Sequence, residues 1–358
     1  MNEPAVLRGG ALFATLLAVL IIFAGCADLG GRISPEDDGD LTSLLAAGQG
    51  QIHYLESLPP NRRFTFGERS LTAAELLASL RRFLAIAGKH FDDEEFKRQI
   101  KKNFVLWQPV KKALVTGYYQ PRVKASLTAS RDFSFPLYAP PKDARRFLAR
   151  ATIERDGLAG LEVAWLAERL DTFFLHIQGS GILVFPDGKQ LSARFAAANG
   201  LPYTSIGKVM VTGGLLPPGQ ATMPAIRAWL RKHPERQNEI LWQNQRFVFF
   251  TVGEKSQPLG NLNLPLTPWR SVALDQNRLP PVAPLLLISR LPRVDTSGTI
   301  SGWQPLTRFV MPQDIGAAIA GPGHIDLFCG DGPAAEIIAG LLQEEARYYF
   351  LLPKSNQP

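Results

Sequence analysis

The sequence predicts a mainly β fold with some α, an α+β or all-β barrel architecture rather than a doubly wound parallel sheet. Three observations carry this. Glycine (31) and proline (28) are abundant while charged residues make up only 20% of the 358-residue chain, a mixture that suits turn-rich β structure better than a helix bundle. From Leu114 onward, short runs of β-branched and aromatic residues are separated by Gly and Pro. The helices that show do not alternate with strands, as βαβ units would require. An apolar content of 46% supplies a sizeable core, enough for one large domain or two ordinary ones, and no internal repeat is visible.

The elements follow in order. Residues 11–24 are almost entirely apolar, short for a membrane span and suited to a signal-peptide core. The run ends in Phe23-Ala24-Gly25-Cys26. Small residues followed directly by Cys resemble the lipobox of bacterial lipoproteins. The resemblance implies cleavage before Cys26, acylation of its thiol and anchoring in a bilayer; an ordinary signal peptide with an incidental Cys is the other reading. Ala27 rather than Asp follows the cysteine, which by analogy with lipoprotein sorting in enteric bacteria implies the outer membrane, facing the periplasm. Residues 30–40 are polar and turn-rich and read as part of a tether, placed over residues 26–45.

Thr72-Ala73-Ala74-Glu75 is a capping box, and Leu76, Leu77, Leu80, Phe83, Leu84 and Ala87 follow at helical spacing before Gly88 stops the run. Residues 92–102 form a second helix, acidic first and basic last, as the macrodipole prefers. Phe173-Phe174-Leu175-His176-Ile177 reads as a strand, Gly179-Ser180-Gly181 as a turn, residues 182–185 as the next strand and Pro186-Asp187-Gly188 as its turn. Thr222 caps a short helix that His233-Pro234 ends. Residues 247–252 and 285–288 read as strands. Pro333 sits in the first turn of a helix through Leu342, and residues 348–352 are the last strand.

The net charge of +7 favours anionic partners. No dense Lys/Arg stripe with interleaved aromatics is present, which argues against nucleic acid. With Cys26 assigned to the lipid, Cys329 is left unpaired and takes no role. Among His53, His90, His176, His233 and His324 no two stand at helical ligand spacing, so neither a metal nor another cofactor is expected. Gly179-Ser180-Gly181 lacks the following Lys-Ser/Thr of a phosphate cradle and the Gly-x-Ser-x-Gly elbow of a serine nucleophile.

Carboxylates remain. Small residues crowd around Asp314, and Asp326 follows Gly321-Pro322-Gly323 inside an apolar run. If residues 325–328 are a strand, Ile325 and Leu327 share one face, and Asp326 shares the other with His324 and Phe328. A carboxyl in partly apolar surroundings has its charged form disfavoured, which is what a general acid requires near neutral pH. On spacing alone, the reading of Asp326 as a residue that caps the turn is the one favoured.

At this point the chain resembles the membrane-bound lytic murein transglycosylase A family along nearly its whole mature length. Thr116-Gly117-Tyr118-Tyr119-Gln120-Pro121 looks like the family's Thr-Gly-Tyr-Tyr-Glu-Pro. The segment from Phe173 to Gly181 looks like its central signature, and Asn199-Gly200-Leu201-Pro202-Tyr203-Thr204-Ser205-Ile206-Gly207 like the segment after it. Ala225-Ile226-Arg227-Ala228-Trp229-Leu230, Phe247-Val248-Phe249-Phe250, and Pro265-Leu266-Thr267-Pro268 with Arg270, Ser271 and Asp275 fit in order, and residues 314–330 look like the aspartate-rich 3D segment.

The resemblance implies a double-psi β-barrel domain (residues 46–121 and 261–353) with a second β-barrel domain inserted at residues 122–260. The glycan would lie in the groove between them. It implies cleavage of the β-1,4 bond between N-acetylmuramic acid and N-acetylglucosamine, with Asp326 as single acid/base and Asp314 as supporting residue. Thr116, Tyr118, Tyr119, Gln178, Gly179 and Ser180 become candidate sugar contacts. Two departures bear on the site. Gln120 stands where the family has Glu, and Ala317 where it has Gly, which narrows the room beside Asp314 and forbids a positive φ there if one is needed. A lipoprotein that binds glycan without turning it over, and a hydrolase that uses water, are the alternatives.

Overall fold

The computed structural model describes residues 33–91, 93–254, 257–295 and 298–354. The signal segment and Cys26 lie outside them. Helix α1 (Leu41–Glu56) starts on the Asp40 cap, whose carboxylate accepts from Ser43 N. A hairpin, β1 (Arg63–Phe66) and β2 (Arg69–Thr72), leads through the expected Thr72/Glu75 capping box into α2 (Ala73–His90). Gly88 does not end α2, which runs two residues past it. Then come α3 (Glu94–Asn103), β3 (Phe104–Trp107) and β4 (Ala113–Gln120). The second helix was expected from residue 92; Asp93 caps it, and Asp92 lies outside the described residues.

The middle of the chain supplies β5 (Arg122–Ser126), β6 (Phe135–Tyr138), α4 (Arg150–Asp156), β7 (Glu162–Leu166), α5 (Arg169–Gln178), β8 (Ser180–Val184), β9 (Gln190–Ala198), α6 (Ile206–Thr212), α7 (Met223–Lys232), α8 (Gln237–Leu241) and β10 (Val248–Glu254). The last part gives β11 (Ser271–Ala273), β12 (Leu285–Val294), β13 (Ile300–Asp314), β14 (His324–Asp331), α9 (Gly332–Leu341) and β15 (Gln343–Pro353).

Two sheets organise these elements. In the first, β12, β13, β11, β14, β4 and β15 are neighbours in that order, and β15 pairs back onto β12 through Leu285↔Phe350 to Ile288↔Arg347. The sheet is therefore a closed barrel, with β3 added along the far stretch of β15. Two of its ladders are parallel, β11 with β13 and β14 with β4. The second sheet runs β10-β9-β8-β5-β7-β6 and draws every strand from the contiguous stretch between β4 and β11. The sheet-rich fold with a closed barrel is the one the sequence predicts.

One element differs. Phe173 to Ile177, expected as a strand, lies in helix α5. Five apolar or aromatic residues in a row do not distinguish the two periods. Leu170, Phe173 and Phe174 are buried together against Ile206, Met210, Ile226 and Leu230, with Ile177 packed alongside, which is the i, i+3, i+4, i+7 pattern of a helix. Gly179 ends it in the left-handed conformation (φ 77°), its N–H bonding the Leu175 carbonyl.

The segment expected to be tether is also different from Ser34 on. Asp37 and Arg270 are both fully buried and form a bidentate pair, Nη1 to Oδ2 at 2.6 Å and Nη2 to Oδ1 at 2.9 Å. The remaining Arg270 donors reach Phe309 O, Asp40 O and Ser43 Oγ at 2.8, 2.7 and 2.9 Å. Asp37 also accepts from Phe309 N and Gly39 N, both at 2.9 Å. Buried charge requires this degree of satisfaction, so the turn-rich composition here serves a docked strap, and residues 41–45 are already helix α1.

Helix α9 lies across β4. A Cβ built on Gly117 would stand 2.8 Å from Ala339 Cα and 3.1 Å from Cys329 Sγ, so the glycine of the Thr-Gly-Tyr-Tyr motif is a packing requirement. Gly117→Ala is expected to destabilise the fold by about 1–3 kcal/mol through overpacking, read as a lower urea midpoint at unchanged slope.

Candidate active site

Strand register brings the two aspartates to one place. On β14, Asp326 pairs with Thr116 of β4 on one side and with Ala273 of β11 on the other. Ala273 pairs in turn with Asp314 at the end of β13. Asp326 and Asp314 thus flank Ala273 two ladders apart, about 10 Å between their backbones. Ile325 and Leu327 are fully buried in the barrel, and Asp326 stays partly exposed, as the alternation requires.

The Thr116 hydroxyl is 2.7 Å from Asp326 Oδ1 and 2.9 Å from His324 Nε2, so the three side chains form one chain of contacts. Burial pushes the Asp326 carboxyl up to about 7; the Thr116 hydroxyl opposes this, and the charge of Asp314 adds to it. Burial likewise raises Asp314. Its oxygens are engaged: Oδ2 accepts from Tyr118 OH at 2.9 Å, and Oδ1 accepts from Asn261 N and Ile315 N, both at 2.9 Å. Gln276 holds the backbone of the same residue, its Nε2 donating to Asp314 O at 3.2 Å, and accepts from Asn261 Nδ2 at 3.0 Å. One carboxyl is clamped; the other, among the described residues, has a partner at one oxygen only, and burial favours its protonated form. That division suits proton transfer at Asp326 and positioning at Asp314.

The remaining predicted residues divide by the pleat of β4. Thr116 and Tyr118 face the aspartates, and the Tyr118 ring lies 5.2 Å from that of Phe328. Tyr119, expected as a sugar contact, points the other way. It is buried with Cys329, Ala335 and Ala339, and its hydroxyl donates to Glu336 of α9 at 2.9 Å. Gln178 is tied to the same strand, its Oε1 accepting from Tyr119 N at 3.1 Å, which sets the end of α5 and the Gly179-Ser180 turn beside β4. Burial raises the thiol of Cys329 well above its ordinary range, so it stays a neutral core residue.

Sequence reasoning missed several participants. Tyr203 comes from the stretch between β9 and α6. Burial holds its phenol high, Ser205 acts the other way, and the charge of Asp326 raises it further, so the two groups lie within electrostatic reach. It stood inside a quoted motif, and an aromatic in a Gly-Pro-rich loop was the available signal. Asn261 and Gln276 carried none, since each acts through a loop whose course the sequence does not reveal. The two departures are accommodated. Gln120 is 4% exposed, a position where a neutral amide is easier to bury than a carboxylate. Ala317 is absent from the residues with positive φ, so it needs no glycine.

Two known families cover most of both sheets. The MltA specific insert domain matches residues 114–251 and the 3D domain matches residues 270–352. The membrane-bound lytic murein transglycosylase A of Escherichia coli K12 is 35% identical over 239 residues, which is 66% of this chain and 64% of that one. The match thus spans just under two thirds of that relative's length. Among solved structures, E. coli MltA with bound chitohexaose superposes with a TM-score of 0.69 at 29% identity, covering 86% of this chain and 90% of the other. The lytic transglycosylase LtgG of Burkholderia pseudomallei gives 0.54 at 32% identity, covering 87% and 91%. Thr116 falls within the first of the two domain matches and both aspartates within the second, and the chain belongs to the membrane-bound lytic murein transglycosylase A family.

Proposed function

We propose that the protein is a lytic transglycosylase that cleaves the β-1,4 bond between N-acetylmuramic acid and N-acetylglucosamine in peptidoglycan and leaves 1,6-anhydromuramoyl ends. The carrying observation is the single carboxyl of Asp326, raised to about 7 beside a second aspartate whose oxygens are already engaged. Ordinary glycosidases need two working carboxylates to manage an external or enzymic nucleophile. One suffices where the nucleophile belongs to the substrate.

In this reading Asp326 protonates the glycosidic oxygen as the bond to the muramoyl anomeric carbon breaks. The resulting oxocarbenium-like centre is attacked by the sugar's own C6 hydroxyl, and the Asp326 carboxylate takes that hydroxyl's proton. The ring closes, and Asp326 is an acid again. The nucleophile is intramolecular, so its translational entropy is already lost in the substrate. Asp314 fixes the backbone of residues 261 and 315 beside the acid. Thr116, Tyr118, Gln178, Gly179 and Ser180 are the sugar contacts of this proposal, with Tyr203 within electrostatic reach of Asp326.

The E. coli relative was solved with chitohexaose, and we extend a glycan partner to this chain. The barrel domain is placed over residues 46–121 and 261–353 and the inserted domain over 122–260. An acylated Cys26 would hold the protein at the outer membrane, facing the periplasm. Among the described residues no helix is long and apolar enough to cross a membrane. The test is mass spectrometry of soluble products from purified sacculi treated with the full-length protein in detergent. Muropeptides one water lighter than hydrolysis products are expected. Products with reducing ends would make the protein a hydrolase. No release from sacculi that still pull the protein down would leave a glycan-binding lipoprotein.

A further inference from the structure

We infer that a pocket beside the second sheet binds the free C-terminal end of the peptide branch carried by the muramoyl units of the glycan. The inference rests on the reading of peptidoglycan as the substrate. The pocket has a volume of about 430 Å³, within the range of sites that take a small ligand. Its apolar wall is Phe135 and Tyr138 of β6, Phe173 of α5, Trp242 after α8 and Phe247 before β10. None of the residues that hold Asp326 or Asp314 lines it.

One side of the pocket is charged. Glu154 Oε1 accepts from Arg150 Nη1 at 2.9 Å, and Oε2 accepts from Arg169 Nη2 at 2.8 Å and from Trp242 Nε1 at 2.9 Å. Burial opposes the ionisation of Glu154, and the charges of the two arginines outweigh it, so the carboxyl is held below its ordinary range. Arg150 is buried and spends its other donors on Asn244 O, Arg246 O and His176 Nδ1. Its guanidinium packs on the Phe173 and Phe247 rings at 4.7 and 5.3 Å, which fixes both walls. Two cations share one carboxylate, so the cluster has a surplus positive charge. The surplus is open at Arg169, whose Nε and Nη1 have no partner among the described residues. Arg155, the other cation of the lining, is paired with Asp156. Aromatic walls with one available guanidinium select a ligand that has an apolar body and a carboxylate. Ser134 and Asn238 also line the pocket, their side chains unpartnered among the described residues, and a hydroxyl and an amide match the N–H and C=O groups of a peptide.

Helix α5 joins this pocket to the proposed sugar contacts. Arg169, Thr172 and Phe173 line the pocket near its start, and Gln178 ends it beside β4. From Arg169 to Gln178 is about 14 Å along the helix axis. An extended peptide of about four or five residues spans roughly 13–18 Å. A branch leaving a muramoyl unit held at Gln178 to Ser180 thus has the length to bring its terminal carboxylate to Arg169. Alanines with a free carboxylate, which end such a branch, carry both features that the pocket selects.

The test titrates the full-length protein in detergent with N-acetyl-D-alanyl-D-alanine and with its C-terminal amide. Binding is followed by NMR at the Trp242 indole N–H, assigned by its loss in Trp242→Phe. The free acid is expected to move this signal and to bind about tenfold more tightly than the amide. Arg169→Gln is expected to bring the acid down to the affinity of the amide and to leave the amide as it was. Arg150 and Trp242 still hold Glu154 in that variant, and Arg169→Lys, which keeps the charge, is expected to fall between. Equal weakening of acid and amide would be a packing defect and overturns the inference, as does a signal that the free acid leaves unmoved at millimolar concentration. N-acetylmuramic acid, whose carboxylate sits on the sugar, is the comparison: Arg169-dependent binding of it in place of the dipeptide overturns the peptide assignment. The readout does not depend on turnover. Dipeptide binding without muropeptide release removes the transglycosylase reading alone, and release without dipeptide binding removes this inference alone.

Discussion

Asp326→Asn is expected to lower the release of muropeptides from sacculi by on the order of a thousandfold while leaving binding to sacculi intact. The amide keeps the shape of the carboxyl and its contact with Thr116, but it cannot donate a proton to the leaving oxygen or take one from the C6 hydroxyl. Both halves of the cycle are lost with one group, which is why the effect exceeds that of removing any single sugar contact. Loss of less than about tenfold would point to another acid. In the proposed cycle the parent protein starts with Asp326 protonated. Its rate is therefore expected to hold below pH 7 and to fall about tenfold per unit above it, in step with the raised carboxyl. The same variant should be more stable than the parent at high pH. The folded-state value lies above the ordinary 3.8, so below pH 4 the group is neutral in both states and costs nothing. Between there and about 7 the unfolded chain ionises first and stability falls. Above 7 the penalty is constant. Removing it is expected to gain about 1–2 kcal/mol at pH 8, after allowance for the solvent that still reaches Asp326, and almost nothing at pH 4. Denaturant midpoints at the two pH values check it.

The largest effect on stability is expected at the other end of the barrel. Asp37→Ala leaves the Arg270 guanidinium fully buried without its bidentate partner, and leaves the Phe309 and Gly39 amides without an acceptor. Breaking one partner of such a pair costs about 3–5 kcal/mol. The cost is of a kind that removing both charges together would largely avoid, so Asp37→Leu with Arg270→Met is expected to recover part of the loss. Urea denaturation of the single and double variants measures both. A loss below about 1 kcal/mol for Asp37→Ala would mean that the strap formed by Ser34 to Asp40 opens without unfolding the barrel.

Much of this was legible in the sequence for identifiable reasons. The Thr72 capping box, the Thr222 cap and Pro333 are local signals, and each marks the start of a helix in the structure. The alternation of Ile325, Asp326 and Leu327 needed only the period of a strand, and it placed Asp326 at the edge of the core. Helix α5 was misread because Phe173 to Ile177 carries apolar or ring side chains throughout; its partly exposed polar edge lies at Asp171, Thr172 and Gln178, outside the window that suggested a strand. The Asp37 pair was illegible because its partner lies far along the chain, and no local pattern announces that a polar strap will be buried. Asn261 and Gln276 stayed hidden for the same reason. Tyr119 was assigned by motif alone, and the pleat of β4 sends it to α9 while its neighbour Tyr118 faces Asp314.

The closure of the barrel has a consequence for the order of assembly. Strand β15 pairs with β3, β4 and β12, and it leaves the ribosome after all three of them. The second sheet draws its strands only from the stretch between β5 and β10 and waits for nothing downstream. A chain growing from its N-terminus can therefore complete that sheet while β3 and β4 still expose unpaired edges, held open for a partner more than two hundred residues away. Until β15 is in place, Thr116 has no closed barrel around it, so the site proposed here is completed only after the second sheet, and unsealed strand edges are the hazard the chain carries until then.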